Sequence, residues 1–318
     1  MRIAMLTYAR RRLLAMIPII FICAVIGFFI TNLMPGDPVR VMVGEFASEK
    51  QVQEMSERLG LDKPIQMRFV MWLQNVMQGD LGDSLYYQTP VTEAIVSRLE
   101  PTLLLATVGL FFGVVMGVSL GIIAAVKHRT VVDQSAMVVS VFGVSIPSFF
   151  IAIVLILVFG VKLQWLPVAG YEPIAKTGFG VIKYLLLPGF SLGLIQSGLI
   201  ARTTRSAMLN VLNQNYIRTA YAKGIPKYKV ILVHALKNAL SPIVTVIGFS
   251  LALLLGGTWI IETIFNIPGT GALAITAISR RDYPIIQGCM LFSTLIYLIV
   301  NFLVDISYSF FNPTVKYK

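Results

Sequence analysis

Charge is scarce in this sequence. Of 318 residues only 13% are Asp, Glu, Lys or Arg, against 56% hydrophobic, which is about half the charged share of an ordinary soluble domain. A water-facing surface built from this composition would expose apolar patches too large for solubility. Cysteine is almost absent. Cys23 and Cys289 lie in separate apolar runs, which excludes a disulfide framework and a cysteine metal site and reads as two small buried hydrophobes. The only histidines are His128 and His234, both among basic residues and without His-Glu-x-x-His spacing or a paired carboxylate. A membrane-embedded hydrolase needs a nucleophile–base pair or metal ligands, and neither is provided. No Gly-x-x-x-x-Gly-Lys-Ser/Thr run occurs, so nothing here cradles nucleotide phosphates. The first apolar run is too long for a signal-peptide core and lacks a small-x-small cleavage site after it, so it reads as a retained span.

Long uncharged runs are what the sequence does have. They cover residues 13–31, 101–126, 134–161, 184–201, 239–261 and 283–304. Each reaches or nearly reaches the roughly 20 residues a helix needs to cross a hydrocarbon core. The expectation is an all-α polytopic membrane protein with about six transmembrane helices. The fourth run is the shortest and carries Pro188.

The net charge of +11 reports orientation. Arg2, Arg10, Arg11 and Arg12 precede the first span, and Lys127 and Arg129 lie between the second and third. Arg202, Arg205, Arg218, Lys223, Lys227, Lys229 and Lys237 lie between the fourth and fifth, and Lys316 and Lys318 close the chain. In a six-span arrangement all of these fall on one side, where Asp133 is the sole acid. Lys and Arg mark the cytoplasmic side, so both termini are placed in the cytoplasm, and nucleic acid is excluded as the reason for the charge.

Two segments lie outside the runs. Residues 35–100 contain a capping-box pattern at Ser48 and Gln51. Val52, Met55 and Leu59 then recur at helical spacing, as do Ile65, Phe69, Trp72, Leu73 and Val76. This predicts two short amphipathic helices outside the cell, serving either as a docking surface or as a cap over a pore. The basic segment at 202–238 places Met208, Val211 and Leu212 on one helix face and Val230, Val233, Leu236 and Leu240 on another, with Gly224 and Pro226 breaking the chain between them. By itself this basic amphipathic pair fits a membrane-surface loop or a helix–turn–helix whose small residues, Ala220, Ala222 and Gly224, admit a partner's cleft.

Asp305 is the only carboxylate clearly inside a span, near the inner end of the last one and beside Asn301 and Tyr308, and it reads either as a functional group or as part of a structural hydrogen-bond network. Ser145, Pro147 and Ser148 interrupt the third run, where they either line a path or adjust packing.

The run Tyr216-Ile-Arg-Thr-Ala-Tyr-Ala-Lys-Gly224 resembles the cytoplasmic coupling loop of ABC importer permeases. Matches extend along the chain: Met34-Pro-Gly-Asp-Pro38, Leu59-Gly-Leu-Asp-Lys-Pro64, Gly79-Asp-Leu-Gly82-Asp-Ser84, Arg98-Leu-Glu-Pro-Thr102, Ile146-Pro-Ser-Phe149 and Leu163-Gln-Trp-Leu-Pro167. They continue through Glu262-Thr-Ile-Phe-Asn-Ile-Pro-Gly-Thr-Gly271, Arg281-Asp-Tyr-Pro284, Asn301-Phe-Leu-Val-Asp305 and Asn312-Pro313. Together they resemble the first permease subunit of the dipeptide, oligopeptide and nickel family. The usual coupling signature has Glu-Ala-Ala before its glycine and a proline near its end; Arg218, Thr219, Ala220 and Lys237 stand at those positions here, as in the peptide branch.

The resemblance implies a type I importer permease fold. It divides the chain into a cytoplasmic N-terminus and first span (1–34), a periplasmic helical segment (35–100) and a five-span core (101–318) with the coupling loop at 202–238. It implies ATPase coupling through Tyr216, Arg218, Thr219, Ala220, Lys223, Gly224 and Ile225, and leaves Ser145, Pro147, Ser148 and Asp305 as candidates for the translocation path. No catalytic or metal site and no cofactor is expected in this chain, since ATP and Mg would sit on partner subunits. The implied partners are a second homologous permease, two ATP-binding cassette ATPases, an extracytoplasmic solute-binding protein and the lipid of a bacterial inner membrane. The implied cargo is di- or oligopeptides, with nickel complexes or glutathione-like peptides as the alternative. A passive channel would not need the coupling turn.

Overall fold

A computed structural model describes residues 2–33, 38–43, 47–58 and 60–311. The Met34–Pro38 and Asn312–Pro313 motifs, Leu59, the Tyr308 side chain, Lys316 and Lys318 lie outside, or largely outside, what is described. In chain order the helices are α1 (Arg2–Leu33), α2 (Pro38–Val43), α3 (Glu49–Arg58), α4 (Ile65–Met77), α5 (Val91–Val96), α6 (Leu99–Val126), α7 (Val131–Ser145) and α8 (Ser148–Leu155). There follow α9 (Ile174–Thr177), α10 (Ile182–Leu212), α11 (Asn215–Ala222), α12 (Lys227–Lys229), α13 (Leu236–Gly257), α14 (Trp259–Ile264), α15 (Thr270–Arg280) and α16 (Tyr283–Phe311). Among the described residues the only β pairing is the isolated bridge between Asp83 and Pro90.

Five stretches are long and apolar enough to cross a membrane: Arg10–Leu33, Val91–Val126, Ile174–Leu212, Lys227–Gly257 and Tyr283–Ile306. The sixth run is a bent pair, with α7 and the helix Ser148–Lys162 meeting at 97°. Pro147 causes the break. It has no N–H to donate, and it forces Ile146 into an extended conformation (φ −88°, ψ 127°). The protein is therefore an all-α, multi-pass membrane protein whose third apolar run is sharply bent where the sequence carries Ser145, Pro147 and Ser148.

The centre of the bundle is the pair α6 and α10. Gly109, Gly113, Gly117 and Gly121 form one face of α6, and each meets one residue of a matching four-residue ladder on α10. Carbon placed as Cβ on these glycines would approach Leu192 Cβ at 3.3 Å, Gln196 Cβ at 3.1 Å, Ile200 Cβ at 2.7 Å and Thr204 Cβ at 2.5 Å, in that order. Both ladders ascend together, so the two helices run parallel, and they converge toward their C-terminal ends. Lipid tails are as apolar as leucine, so what holds these helices is close backbone packing, which glycine allows and any side chain would block. On its other side α10 takes α7, with Gly143 against the Leu194 carbonyl and Gly198 against the Ser140 carbonyl. Pro188, which shortened the fourth apolar run in sequence, is buried inside a continuous α10 of 31 residues, about 46 Å at 1.5 Å per residue. Its last turns therefore extend past a hydrocarbon core of about 30 Å.

The division at residue 100 does not mark a separate body. The capping box forms as read, with the Ser48 N–H donating to Gln51 Oε1 at 2.9 Å and the Gln51 N–H donating to Ser48 Oγ at 3.4 Å. From α4, Phe69 and Trp72 close on Phe28 of α1, with ring centroids 5.3 and 5.4 Å away. Val91 and Ile95 of α5 are buried with Leu273, Ile285 and Cys289 in one apolar cluster. Residues 38–100 are thus roots and cover for one end of the bundle, while α11 lies at the other.

Candidate functional site

The segment at 202–238 folds differently from a simple pair of helices. Met208, Val211 and Leu212 belong to the end of α10, and a separate eight-residue helix, α11, follows. Ile217 and Ala220 are its anchors, 1% and 8% exposed, packed with Met208, Val230, Ala235 and Ile243 beneath them. The opposite face leaves Tyr216, Arg218, Thr219, Tyr221 and Lys223 exposed. After Lys223 the chain turns back through Gly224 at φ 74°. The Ile225 N–H donates to the Ala220 carbonyl at 3.3 Å and the Gly224 N–H to the Tyr221 carbonyl at 3.0 Å. This is the paired bonding of a glycine-terminated helix, completed by Ile225 packing back on the same cluster. A Cβ on Gly224 would meet nothing within 4 Å, so the glycine serves the backbone and leaves the surface open. Pro226 then starts α12, which runs through a π-helical stretch, Val230–Ala235, into α13. The helix α11 is therefore a rigid crosspiece between the ends of α10 and α13, with every predicted coupling residue on or beside it.

Behind the crosspiece lies an ion pair that was not foreseen. Asp133, at the start of α7 and 3% exposed, accepts from Arg205 of α10 through Nε at 2.6 Å and Nη2 at 2.7 Å. It also accepts the Arg129 N–H at 3.0 Å. His128 Nδ1 lies 3.2 Å from the same carboxylate, which corrects the reading that neither histidine has a carboxylate partner. The carboxylate is already saturated by a fork of charged donors, so the cluster fixes the α6–α7 turn to α10.

The four path candidates divide between two places. Ser145 is exposed at the end of α7, its Oγ bonded to the Val141 carbonyl at 2.9 Å. Pro147 and Ser148 form the bend itself. Asp305 belongs to the α1–α16 contact, where its carboxylate is paired with Arg12; the Tyr308 side chain considered with it from sequence lies outside what is described. Asn301 instead donates to the Tyr297 carbonyl at 2.8 Å.

A shallow, largely apolar groove with a stripe of polar residues, missed by sequence reading, lies between α10 and α13. Two adjoining cavities of about 570 and 510 Å³ share Leu199, Thr203 and Pro242. Arg202, Thr203, Ser206 and Asn210 line it from α10, and Ser241 and Thr245 from α13. The signal was available: these residues recur every three or four positions in otherwise apolar helices, and polar groups inside a membrane face a water-filled cavity or another protein. The groove ends at the residues that lead into α11.

At the far end two buried carboxylates lock the loops. Glu262, 0% exposed, accepts Thr102 Oγ1 and Thr258 Oγ1 at 2.8 Å and the Ala272 N–H at 2.9 Å. Asp282, 1% exposed, accepts Ser84 Oγ at 2.5 Å and the N–H groups of Leu85 and Tyr86 at 3.2 and 3.1 Å. Several of the motifs that carry the sequence resemblance thus meet one another here: Glu262 with Thr102, Asp282 with Ser84.

Residues 117–317 match the model of the binding-protein-dependent transport system inner membrane component, and residues 5–106 match the N-terminal model of such membrane components. The chain belongs to this family. Relatives of full length agree. A Brucella abortus (strain 2308) protein whose name assigns it to a peptide transport system as permease is 40% identical over 307 residues, 96% of this chain and 98% of its own. The glutathione transport system permease protein GsiC of Escherichia coli (strain K12) is 38% identical over 314 residues, covering 99% of this chain and all of that one. The inward-facing MetNI methionine ABC transporter superposes with a TM-score of 0.54 over 70% of this chain and 97% of the other, at 15% identity, a likeness of fold. As a transport component this chain moves cargo rather than transforming it, and its groove and exposed α11 are read in that light.

Proposed function

We propose that this permease forms half of the translocation pathway of an ATP-driven importer of di- or oligopeptides, with a second homologous permease supplying the other half. Peptide cargo is supported by the peptide and glutathione systems named for its full-length relatives, and a glutathione-like tripeptide is the second reading that the latter favours. The basic end, with both chain termini, faces the cytoplasm, following the Lys and Arg distribution. Two cytoplasmic ATPase subunits hold the nucleotide and Mg, and an extracytoplasmic binding protein delivers cargo to the α2–α5 end.

The observation that carries the reading is α11. Its buried face packs on the π-helical stretch that leads into α13, within one apolar cluster that also holds Met208 of α10 and Ile243 of α13, while the other face is exposed, so force on α11 bears on both helices that wall the groove. ATP-driven closure of the ATPases pushes on Tyr216–Ile225, and the spans move as packed bodies between two arrangements. In this reading the groove between α10 and α13 lines the path, joined by the bend at Ser145–Ser148. The test is reconstitution of the complex in proteoliposomes with its binding protein. ATP-dependent uptake of a labelled dipeptide that is abolished by reversing both charges on α11 (Arg218→Glu with Lys223→Glu), with the permeases still assembled, is the expected result. Undiminished uptake by that variant would refute the coupling role.

A further inference from the structure

A half-open cavity of about 670 Å³ lies away from α11 and the α10–α13 groove, at the α2–α5 end. That is the size range of small-molecule sites. Phe28 and Trp72 give it an apolar wall, while Arg68, Asn75, Asp83 and Gln287 give it a polar one. Its walls are fixed. The 84–86 backbone is held by Asp282, Gln287 is oriented by donating to Thr31 Oγ1 at 2.8 Å, and Phe28 is locked among Phe69 and Trp72.

Half-buried Arg68 and exposed Asp83 both line the cavity, yet no ion pair joins them, and neither is paired with any other charged side chain among the described residues. Arg68 is half-buried, and burial lowers its pKa below the usual arginine value, with Tyr283 acting in the opposite direction. A partly desolvated guanidinium with no carboxylate partner is a strong site for an incoming one. A second, negative group in the same cavity suits a ligand that carries both charges.

We propose that this cavity binds a small zwitterionic peptide, with Arg68 receiving its free carboxylate, Asp83 its ammonium group, and the Phe28–Trp72 wall an apolar side chain. This rests on the peptide reading above and adds to it a cargo-binding site within the permease itself, distinct from the groove. The alternative occupant, an acidic side chain of the delivering protein, would need only Arg68 at a surface, whereas here groups of both charges and an aromatic wall line one cavity of peptide size.

The probe is labelled alanyl-phenylalanine, with its C-terminal amide and its N-acetyl form, bound to the assembled transporter in lipid nanodiscs without binding protein. Wild type should bind the free dipeptide at least about tenfold more tightly than the amide, the loss that follows when a charge-assisted hydrogen bond is removed. Arg68→Gln should lower dipeptide affinity to the level of the amide, Arg68→Lys should recover part of it, and Asp83→Asn should erase the preference over the N-acetyl form. Equal binding of dipeptide and amide to wild type, no dipeptide binding at all, or unchanged binding in Arg68→Gln would overturn the proposal. So would an Arg68→Gln complex that binds dipeptide normally but docks the binding protein poorly. ATP-driven uptake by wild type in the presence of binding protein is measured alongside. Uptake without this binding sinks only the cavity site, whereas absence of uptake sinks the peptide reading.

Discussion

Asp133 and Arg205 are 72 residues apart in sequence and joined by two hydrogen bonds of 2.6 and 2.7 Å that tie the start of α7 to the last turns of α10. The pair sits where α10 leaves the glycine ladder and heads toward α11, and it holds the start of α7 to that stretch of α10. Asp133 is covered, but Arg205 keeps a quarter of its side chain exposed, so solvent reaches one side of the pair. Arg205→Ala should therefore destabilise by about 1–3 kcal/mol, the cost of lost hydrogen bonds to a charged group rather than of a fully buried pair. Thermal unfolding in detergent is the measurement. The double variant Asp133→Asn with Arg205→Gln should lose less than Arg205→Ala alone, because no uncompensated charge remains.

The converging helices α6 and α10 give a graded prediction. Alanine at Gly109 or Gly113 would bring its Cβ to 3.3 or 3.1 Å from α10 side chains, whereas at Gly117 and Gly121 the approach is 2.7 and 2.5 Å. Overpacking of this kind costs about 1–3 kcal/mol. Gly109→Ala should be nearly silent in a thermal melt and Gly121→Ala should lose the most. Equal effects at the four positions would mean that the helices do not converge as described.

Gly224 and Ile217 separate backbone shape from anchoring. At φ 74° with open space around it, Gly224→Ala carries the left-handed strain of about 1–2 kcal/mol and no collision within the chain. Gly224→Asn, which tolerates that region, should couple ATP hydrolysis to uptake nearly as wild type does. Ile217→Asp instead places a charge in the cluster under α11 and should uncouple transport while ATPase subunits still hydrolyse. The ratio of ATP hydrolysed to peptide imported reads both.

Glu262 predicts a third kind of failure. Its carboxylate gathers donors from α6, the α13–α14 junction and α15, and a Cβ on Gly269 would lie 2.3 Å from it. Glu262→Ala leaves Thr102, Thr258 and the Ala272 N–H without their acceptor, at about 1–3 kcal/mol for each buried group left unmet. Membrane-inserted yield, followed by gel filtration of the solubilised complex, should fall sharply for Glu262→Ala and for Gly269→Val, and much less for Glu262→Gln.

Much of this architecture was legible in the chain itself. Uncharged runs gave the crossings, the Ser48–Gln51 pattern gave a real helix start, and Gly224 marked a real helix end. Three things were not. The long reach of α10 was hidden because Pro188 and the basic turns after Ala201 shorten its apolar window, although neither stops a helix whose neighbours pack against it. Pairings such as Asp133–Arg205, Glu262–Thr102 and Asp282–Ser84 join residues 72 to 198 positions apart, and no local pattern encodes such a meeting. The four-residue spacing of Gly109, Gly113, Gly117 and Gly121 was visible and went unused, as did the polar stripe from Arg202 to Asn210. Asp305 drew notice as a carboxylate in a span, but Arg12 from the first helix satisfies its charge.

The central claim is that α11 transmits work from partner ATPases to the groove between α10 and α13. A disulfide-trapping experiment tests it most directly: a cysteine at Thr219 in α11, and one in the facing cleft of the ATPase subunit, in a complex otherwise free of reactive thiols. The account predicts that the crosslink forms, and that accessibility of a second reporter at Ser206 in the groove changes between nucleotide-free and ATP-trapped complexes. Formation of the crosslink with a groove reporter that is indifferent to nucleotide would contradict it.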